Sequence, residues 1–484
     1  MKHLLALSFR WTACVAVFLC CGWTAGAYAA SPVEGTWEGK LQTGGVSLRI
    51  VFHIAIQGDG LAATMDSPDQ GAYGIAVDTV SFDGTTFRCE IKRIRGDFEG
   101  KLKDDGSLGG FWTQFDNPMA LSLQRKVATA RKRPQEPAKP YPYTEEDVTF
   151  ANTKAGLKLA GTFTKPNGGK RFPVVLLISG SGPQDRNGEF MAHKPFLLWA
   201  DTLTRRGFAV LRVDDRGVGA SGQAERQATS EDLAQDAMAG IAYLKTRRDI
   251  DKKRIGLIGH SEGGLIAPLV AVQSKDVAFI VLLAAPGARG VDVLAKQRDA
   301  MLAARGVPEN LRAQSNRIPQ RLTTIAMESP DTETAVAKFD AYWAEVMKQV
   351  SGATSLSDAQ TEALNAQADV ARSELKGMMS PWIKFYLQHD PALPLQRVRV
   401  PVLALNGSLD TQVVASQNLP LIEAALKSGG NKDYKVIELP GLNHLLQAAK
   451  TGVPSEYMEI EETINPAALQ TAGDWLTAHG GSTH

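Results

Sequence analysis

The sequence predicts a doubly wound, mostly parallel α/β domain with a helical insertion, preceded by a small all-β, barrel-like domain. Three observations predict it. Residues 30–126 alternate apolar and polar positions with period two. From about residue 144, short continuous apolar runs alternate with helix-length segments. Between about 288 and 395 the strand signal stops and only helix-like stretches remain.

The chain has 484 residues, 44% hydrophobic and 22% charged, which is ordinary globular usage and excludes whole-chain disorder. Its 53 Lys and Arg balance 52 Asp and Glu. No global field exists to hold a nucleic acid, so no nucleic-acid partner is expected. Lys2, His3 and Arg10 precede an apolar run, Trp11 to Trp23, and then Ala27-Tyr28-Ala29-Ala30. That order reads as a signal peptide over 1–29, and the run is short for a membrane span. Cleavage would remove Cys14, Cys20 and Cys21 and leave Cys89 alone. A lone cysteine forms no intramolecular disulfide and no cysteine zinc site. The expected location is periplasmic or secreted, with no membrane span after cleavage.

The all-β domain covers 30–126. Val46, Leu48, Ile50, Phe52, Ile54 and Ile56 alternate with Ser47, Arg49, His53 and Gln57, as in a half-buried strand. Gly58-Asp59-Gly60, Asp83-Gly84 and Asp104-Asp105-Gly106 mark turns. Evenly spaced strands of this kind close into a small barrel or sandwich. His53 reads as a face residue of its strand. Residues 127–143 form a linker in which Pro134, Pro137, Pro140 and Pro142 favour an extended spacer. Its basic run Arg131-Lys132-Arg133 reads as a solvated stretch.

The catalytic-type domain covers 144–484. Val148–Phe150 and Leu157–Phe163 predict a hairpin. Val174–Ile178, Phe208–Val213, Ile255–Ile258, Phe279–Leu283, Val402–Leu405 and Val436–Leu439 are unbroken apolar runs, as in strands buried on both faces. Ser230–Thr246 and Gly263–Val272 predict helices between them. The insertion, about 288–395, contains helix-like stretches Val291–Ala304, Thr332–Val350 and Ser357–Lys376. Inserted caps cover active sites and supply apolar pocket walls. Trp343, Trp382 and Tyr386 are its candidate substrate-binding residues, with packing of the cap as the competing role.

Gly259-His260-Ser261-Glu262-Gly263 is G-x-S-x-G between a predicted strand and a predicted helix. A sharp turn there projects the Ser261 hydroxyl, and the helix N-terminus favours a developing negative charge. A serine hydroxyl needs a base. Asp410 follows the run Val402–Leu405, and His444 follows Val436–Leu439. In chain order these are acid and then histidine, on the same carboxyl edge as Ser261. His444 is the candidate base and Asp410 its orienting acid, with Asp390 and Asp433 as rivals for the acid. The other C-terminal histidines, His479 and His484, lie in a glycine-rich tail.

A tetrahedral intermediate needs two N–H donors. The candidates are the backbone N–H of Glu262 and that of Ser181, in the loop Ser179-Gly180-Ser181-Gly182-Pro183. That loop has no P-loop lysine and no G-x-G-x-x-G. Asp214-Asp215-Arg216-Gly217 reads as a structural turn with a buried ion pair, and Asp185-Arg186 likewise.

The segments ISGSGPQDRNG (178–188), HKPFLLWADTLTRRGFAVLRVDDRGVGASG (193–222), GHSEGG (259–264), SPWIKFYLQHDP (380–391), PVLALNGSLDTQV (401–413) and LPGLNHLLQAAKTG (439–452) together resemble the α/β-hydrolase superfamily over about 145–484. Within it the chain is similar to exported bacterial carboxylesterases, relatives of serine aminopeptidase-like hydrolases, several of which carry an N-terminal β domain. The resemblance implies an α/β-hydrolase fold, hydrolysis of small carboxylic esters, often short-acyl, and no metal or other cofactor. Ser179 stands where many lipases have the His of H-G-G-G, which bears on the second oxyanion donor. The leading expectation is an exported serine esterase acting through an acyl-enzyme. The alternatives are a serine peptidase of aminopeptidase or prolyl type and a non-catalytic binding module. An aminopeptidase would need acids in the cap to hold a free amine, and Asp331, Glu333, Asp340 and Glu345 are the candidates. The oligomeric state and the role of the β domain stay open.

Overall fold

The computed structural model describes residues 31–481 apart from 44–45, 58–59, 71, 115–116, 127–131, 170, 224–226 and 354. The expected signal peptide, 1–29, lies outside the described residues.

The first domain is one antiparallel sheet of nine strands. They are β1 (Gly35–Thr43), β2 (Val46–Gln57), β3 (Gly60–Ser67), β4 (Ala72–Ala76), β5 (Thr79–Phe82), β6 (Thr86–Ile91), β7 (Gly96–Leu102), β8 (Leu108–Gln114) and β9 (Asn117–Lys126). Their order is β4-β3-β2-β1-β9-β8-β7-β6-β5, and the sheet curls until β5 approaches β3. The period-two pattern sets which face is enclosed. Phe52, Phe87, Phe98, Trp37 and Trp112 are all buried inside the half-barrel. Phe52 stacks on Phe98 with ring centres 5.9 Å apart. Cys89 is buried there too, and burial pushes its thiol up to about 12. His53 stands on its strand with Nε2 2.8 Å from Asp66 Oδ2.

The second sheet has eight strands: β10 (Tyr143–Asn152), β11 (Leu157–Pro166), β12 (Phe172–Ile178), β13 (Ala209–Val213), β14 (Ile250–His260), β15 (Val277–Leu283), β16 (Val402–Gly407) and β17 (Tyr434–Leu439). The order is β10-β11-β13-β12-β14-β15-β16-β17. β10, β11 and β13 pair antiparallel, and the rest of the sheet is parallel. Both faces are covered, which is why the strand sequences are unbroken apolar runs. Along β12, Val174, Leu176 and Ile178 face one core while Val175 and Leu177 face the other.

The strand order positions the site. From β12 the chain steps to β13 on one side and returns to β14 on the other. The carboxyl ends of β12 and β14 therefore flank a switch-point crevice, where open α/β sheets bind ligands. Between β15 and β16 the chain runs through helices Gly290–Ala304, Glu309–Ser315, Arg317–Glu328, Thr332–Ala353, Asp358–Met378, Pro381–Gln388 and Ala392–Leu395, with no strand among the described residues. Most of these helices share a core of their own around Leu322, Phe339 and Leu375. The turn Pro68–Gln70 of the first domain rests against the turn Pro454–Glu456 of the second.

Candidate active site

β14 ends at His260, helix Glu262–Gln273 begins at Glu262, and Ser261 alone makes the turn. Its backbone sits at φ 54° and ψ −119°, a strained conformation for a residue with a side chain. The glycines around it are dictated by contact. A Cβ on Gly259 would lie 2.0 Å from the Gly263 carbonyl oxygen, and one on Gly263 would lie 2.2 Å from that of Ile178. The Ser261 N–H donates to Leu283 O at 2.8 Å, which ties the turn to β15. The Gly264 N–H donates to Ser261 O at 2.9 Å, closing the first turn of the helix on the nucleophile.

His444 and Asp410 meet beside that turn. The loops after β16 and β17 pack so closely that a Cβ on Gly407 would lie 2.1 Å from Leu442 O. Asp410 is 3% exposed and His444 5%. Asp410 Oδ1 accepts the N–H groups of Gln412 (2.8 Å) and Val413 (2.9 Å), which leaves Oδ2 for His444 Nδ1 at 2.7 Å. The ring nitrogen Nε2 of His260 lies 2.9 Å from His444 O, so His444 sits against the residue that precedes Ser261. Burial, and then the neighbouring His444, push the His260 imidazole down to about 3, so it is a neutral donor. The rival acids are elsewhere. Asp390 caps Ala392, and Asp433 pairs with His479.

The loop after β12 lies against Ser261. A Cβ on Gly180 would lie 3.2 Å from Ser261 Cβ, so any side chain there would crowd the nucleophile. Ser181 follows it in an exposed turn. Asp215 supports the loop by accepting from Ser179 Oγ (2.6 Å) and the Gln184 N–H (2.9 Å). Burial pushes the Asp215 carboxyl up to about 7, with the charges of Asp236 and Glu262 adding to the shift. The ion pairs in this region reach out of the turn, one to the neighbouring loop and one to helix Ser230–Thr246, rather than closing within it. Arg186 grips Asp214 through Nε (3.0 Å) and Nη2 (2.7 Å), and Arg216 pairs with Asp236 at 2.7 Å.

The cap reaches the nucleophile turn through helix Pro381–Gln388. Trp382 Nε1 donates to Glu262 Oε1 at 2.8 Å, and Ser230 Oγ donates to the same oxygen at 2.6 Å. Tyr386 stacks on Trp382 with ring centres 6.1 Å apart. Trp343 is not brought to them. It is 6% exposed inside the cap's own core, stacked on Phe339 at 5.9 Å. The buried Glu262 side chain is a feature that sequence reasoning missed, because it had given this residue only a backbone role. Two of the candidate cap acids are engaged within the cap itself. Asp331 accepts the Thr334 N–H at 2.7 Å, and Asp340 pairs with Arg372 at 2.9 Å.

Sequence reasoning also missed Arg133. Rather than being merely solvated, its guanidinium donates to the carbonyls of Ala192 (3.2 Å), Met191 (2.9 Å), Met458 (3.4 Å) and Ile460 (2.9 Å). Contacts to carbonyls some 325 positions away leave no local pattern to read. Among the described residues no group of three or more His, Cys, Asp or Glu is arranged to hold a metal ion. No helix among them is long and apolar enough to cross a membrane.

The family described as serine aminopeptidase, S33, matches residues 195–449. The chain is 25% identical over 339 residues to the esterase EstD of Thermotoga maritima, covering 70% of this chain and 68% of that protein. It is 33% identical over 154 residues to human dipeptidyl peptidase 8, covering 30% of this chain and spanning only 17% of that protein's length. Among solved structures, it is similar to hypothetical protein PA2218 of Pseudomonas aeruginosa. The TM-score is 0.43 at 16% identity, with 74% of this chain and 100% of that one covered.

Proposed function

The chain belongs to the serine aminopeptidase, S33 family, and on that premise we propose that it is an exported serine esterase that cleaves small, short-acyl carboxylic esters by a Ser261-His444-Asp410 triad. The observation that carries the reading is the 2.7 Å contact of His444 Nδ1 with Asp410 Oδ2 beside the strained Ser261 turn.

Ser261 Oγ attacks the ester carbonyl carbon. His444 Nε2 takes the hydroxyl proton and passes it to the departing alkoxide, which leaves as the alcohol. The acyl group stays on Ser261. Water then attacks this acyl-enzyme by the same proton route and releases the acid. Asp410 keeps the proton of neutral His444 on Nδ1, so that Nε2 faces Ser261 as acceptor. The N–H groups of Glu262 and Ser181 receive the oxyanion. Trp382 and Tyr386 supply the cap wall of the acyl pocket. No step calls on a metal or other cofactor. The basic start, short apolar run and A-x-A site of residues 1–29 support export.

The likeness to the Thermotoga esterase over most of both chains favours the ester reading. The family's own description and the stretch similar to dipeptidyl peptidase 8 favour a second reading, a serine peptidase using the same residues. The two part on substrate. The full chain is assayed on p-nitrophenyl acetate, butyrate and octanoate beside aminoacyl and prolyl p-nitroanilides. The ester reading expects turnover of the short esters and little of the anilides. Efficient anilide cleavage with poor ester turnover would replace it with the peptidase.

A further inference from the structure

The turn that carries His444 is held from behind by an unusually complete polar network. Asn443 and Gln447 are fully buried. Asn443 Nδ2 donates to Gln447 Oε1 at 2.9 Å, and Asn443 Oδ1 accepts the Gln447 N–H at 3.0 Å. Gln447 Nε2 in turn donates to Glu462 O at 2.9 Å, and the Asn465 N–H donates to Leu446 O at 2.8 Å. The His444 turn is therefore registered on the segment 457–465. Within that segment, Tyr457 Oη accepts from Gln412 Nε2 at 2.8 Å, on the Asp410 loop.

That segment has no helix or strand, so side chains from elsewhere hold it. Two such groups stand outside the His444 and Asp410 loops. His193, 1% exposed, lies 3.1 Å from Thr463 Oγ1 through Nδ1 and 2.9 Å from Tyr457 O through Nε2. The other group is the inter-domain linker. Gln135 Oε1 accepts the N–H groups of Thr463 (2.6 Å) and Ile464 (3.1 Å), and its Nε2 donates to Ile464 O at 2.7 Å. Arg133 binds the carbonyls of Met458 and Ile460 while holding those of Met191 and Ala192, just before His193.

We propose that Arg133 and Gln135 are positioning residues for His444, which makes the linker between the two domains a working part of the active-site scaffold. They fix 457–464, that segment fixes the Asn443–Gln447 pair, and the pair fixes the base. The claim rests on the serine-hydrolase reading above.

The test compares wild type, Gln135→Ala, Arg133→Ala and Ser261→Ala as full chains on p-nitrophenyl butyrate, with active sites counted by a fluorophosphonate probe. A displaced base slows chemistry without loosening substrate. We expect kcat per active site to fall about tenfold in each linker variant, within the ~10²-fold that a 1 Å misplacement costs, with KM nearly unchanged. In a His444→Ala background the same linker substitutions should lower the residual rate no further, because residues acting as one unit are not additive. Unchanged kcat per active site in folded Gln135→Ala and Arg133→Ala would overturn the proposal, whatever happens to Tm. So would a further tenfold fall in the His444→Ala background. If Arg133→Ala does not fold, Gln135→Ala, at a partly exposed position, carries the test. Activity surviving in Ser261→Ala would instead overturn the reading on which the proposal rests.

Discussion

Trp382 and Glu262 join the cap to the nucleophile turn. The indole N–H donates to Glu262 Oε1 at 2.8 Å, and Glu262 is 1% exposed with its second oxygen, Oε2, unpartnered among the described residues. A buried carboxylate with so few donors is sensitive to losing one, because a hydrogen bond to a charged group is worth about 1.5–3 kcal/mol. Trp382→Phe keeps the ring and removes the donor. It should lower kcat/KM for butyrate esters about tenfold and lower Tm, as read by steady-state kinetics and thermal melting.

Asp410→Asn should keep the fold, because Asn Oδ1 can still accept from Gln412 and Val413. Its amide would meet His444 with a donor where an acceptor belongs. A wrong tautomer of this kind costs on the order of 10⁴ in kcat in a serine triad. Circular dichroism on the variant, beside its kinetics, separates this from unfolding.

How much of this could be read from the sequence depended on whether the cause was local. The nucleophile turn was legible because its glycines stand in one short motif: Gly259 is forced by Gly263 O four residues on, although Gly263 itself is forced by the distant Ile178 O. The parallel strands were legible because burial on both faces leaves an unbroken apolar run. The sequence singles out Asp410 for its place just past the run Val402–Leu405 and leaves Asp390 and Asp433 as rivals; the structure puts Asp390 after helix Pro381–Gln388 and Asp433 before β17, and brings Asp410 to His444. Trp343 and Trp382 are the same residue type in the same insertion, and only the fold turns one into the cap core and the other toward Glu262. Arg133 was the hardest case, because its partners are carbonyls with no side-chain signature.

The Asp215 carboxyl, pushed up to about 7 by burial, makes a pH prediction. Between its unfolded value near 4 and about 7, the folded protein binds the extra proton. This group therefore favours the fold at the acid end of that window, and the contribution is lost as pH rises through about 7. In Asp215→Asn that loss should disappear. Urea unfolding at several pH values from 4 to 7.5 should show stability falling less with pH in the variant than in wild type.

Cys89, buried in the half-barrel with its thiol pushed up to about 12, should be inert in the folded protein. A thiol reagent such as DTNB at pH 8 should give no rapid reaction, and one equivalent once guanidinium is added to the chain lacking residues 1–29. Fast labelling without denaturant would mean that the half-barrel opens readily.

The central claim is that Ser261 is the nucleophile, and covalent chemistry tests it most directly. Wild type and Ser261→Ala are each treated with a fluorophosphonate, digested, and read by mass spectrometry, with initial rates on p-nitrophenyl butyrate measured in parallel. One phosphonyl group is expected on the wild-type peptide that contains Ser261, and none on the variant. The variant's rate should be lower by about 10⁴–10⁶. Labelling at another residue, or near-wild-type turnover in Ser261→Ala, would contradict the claim.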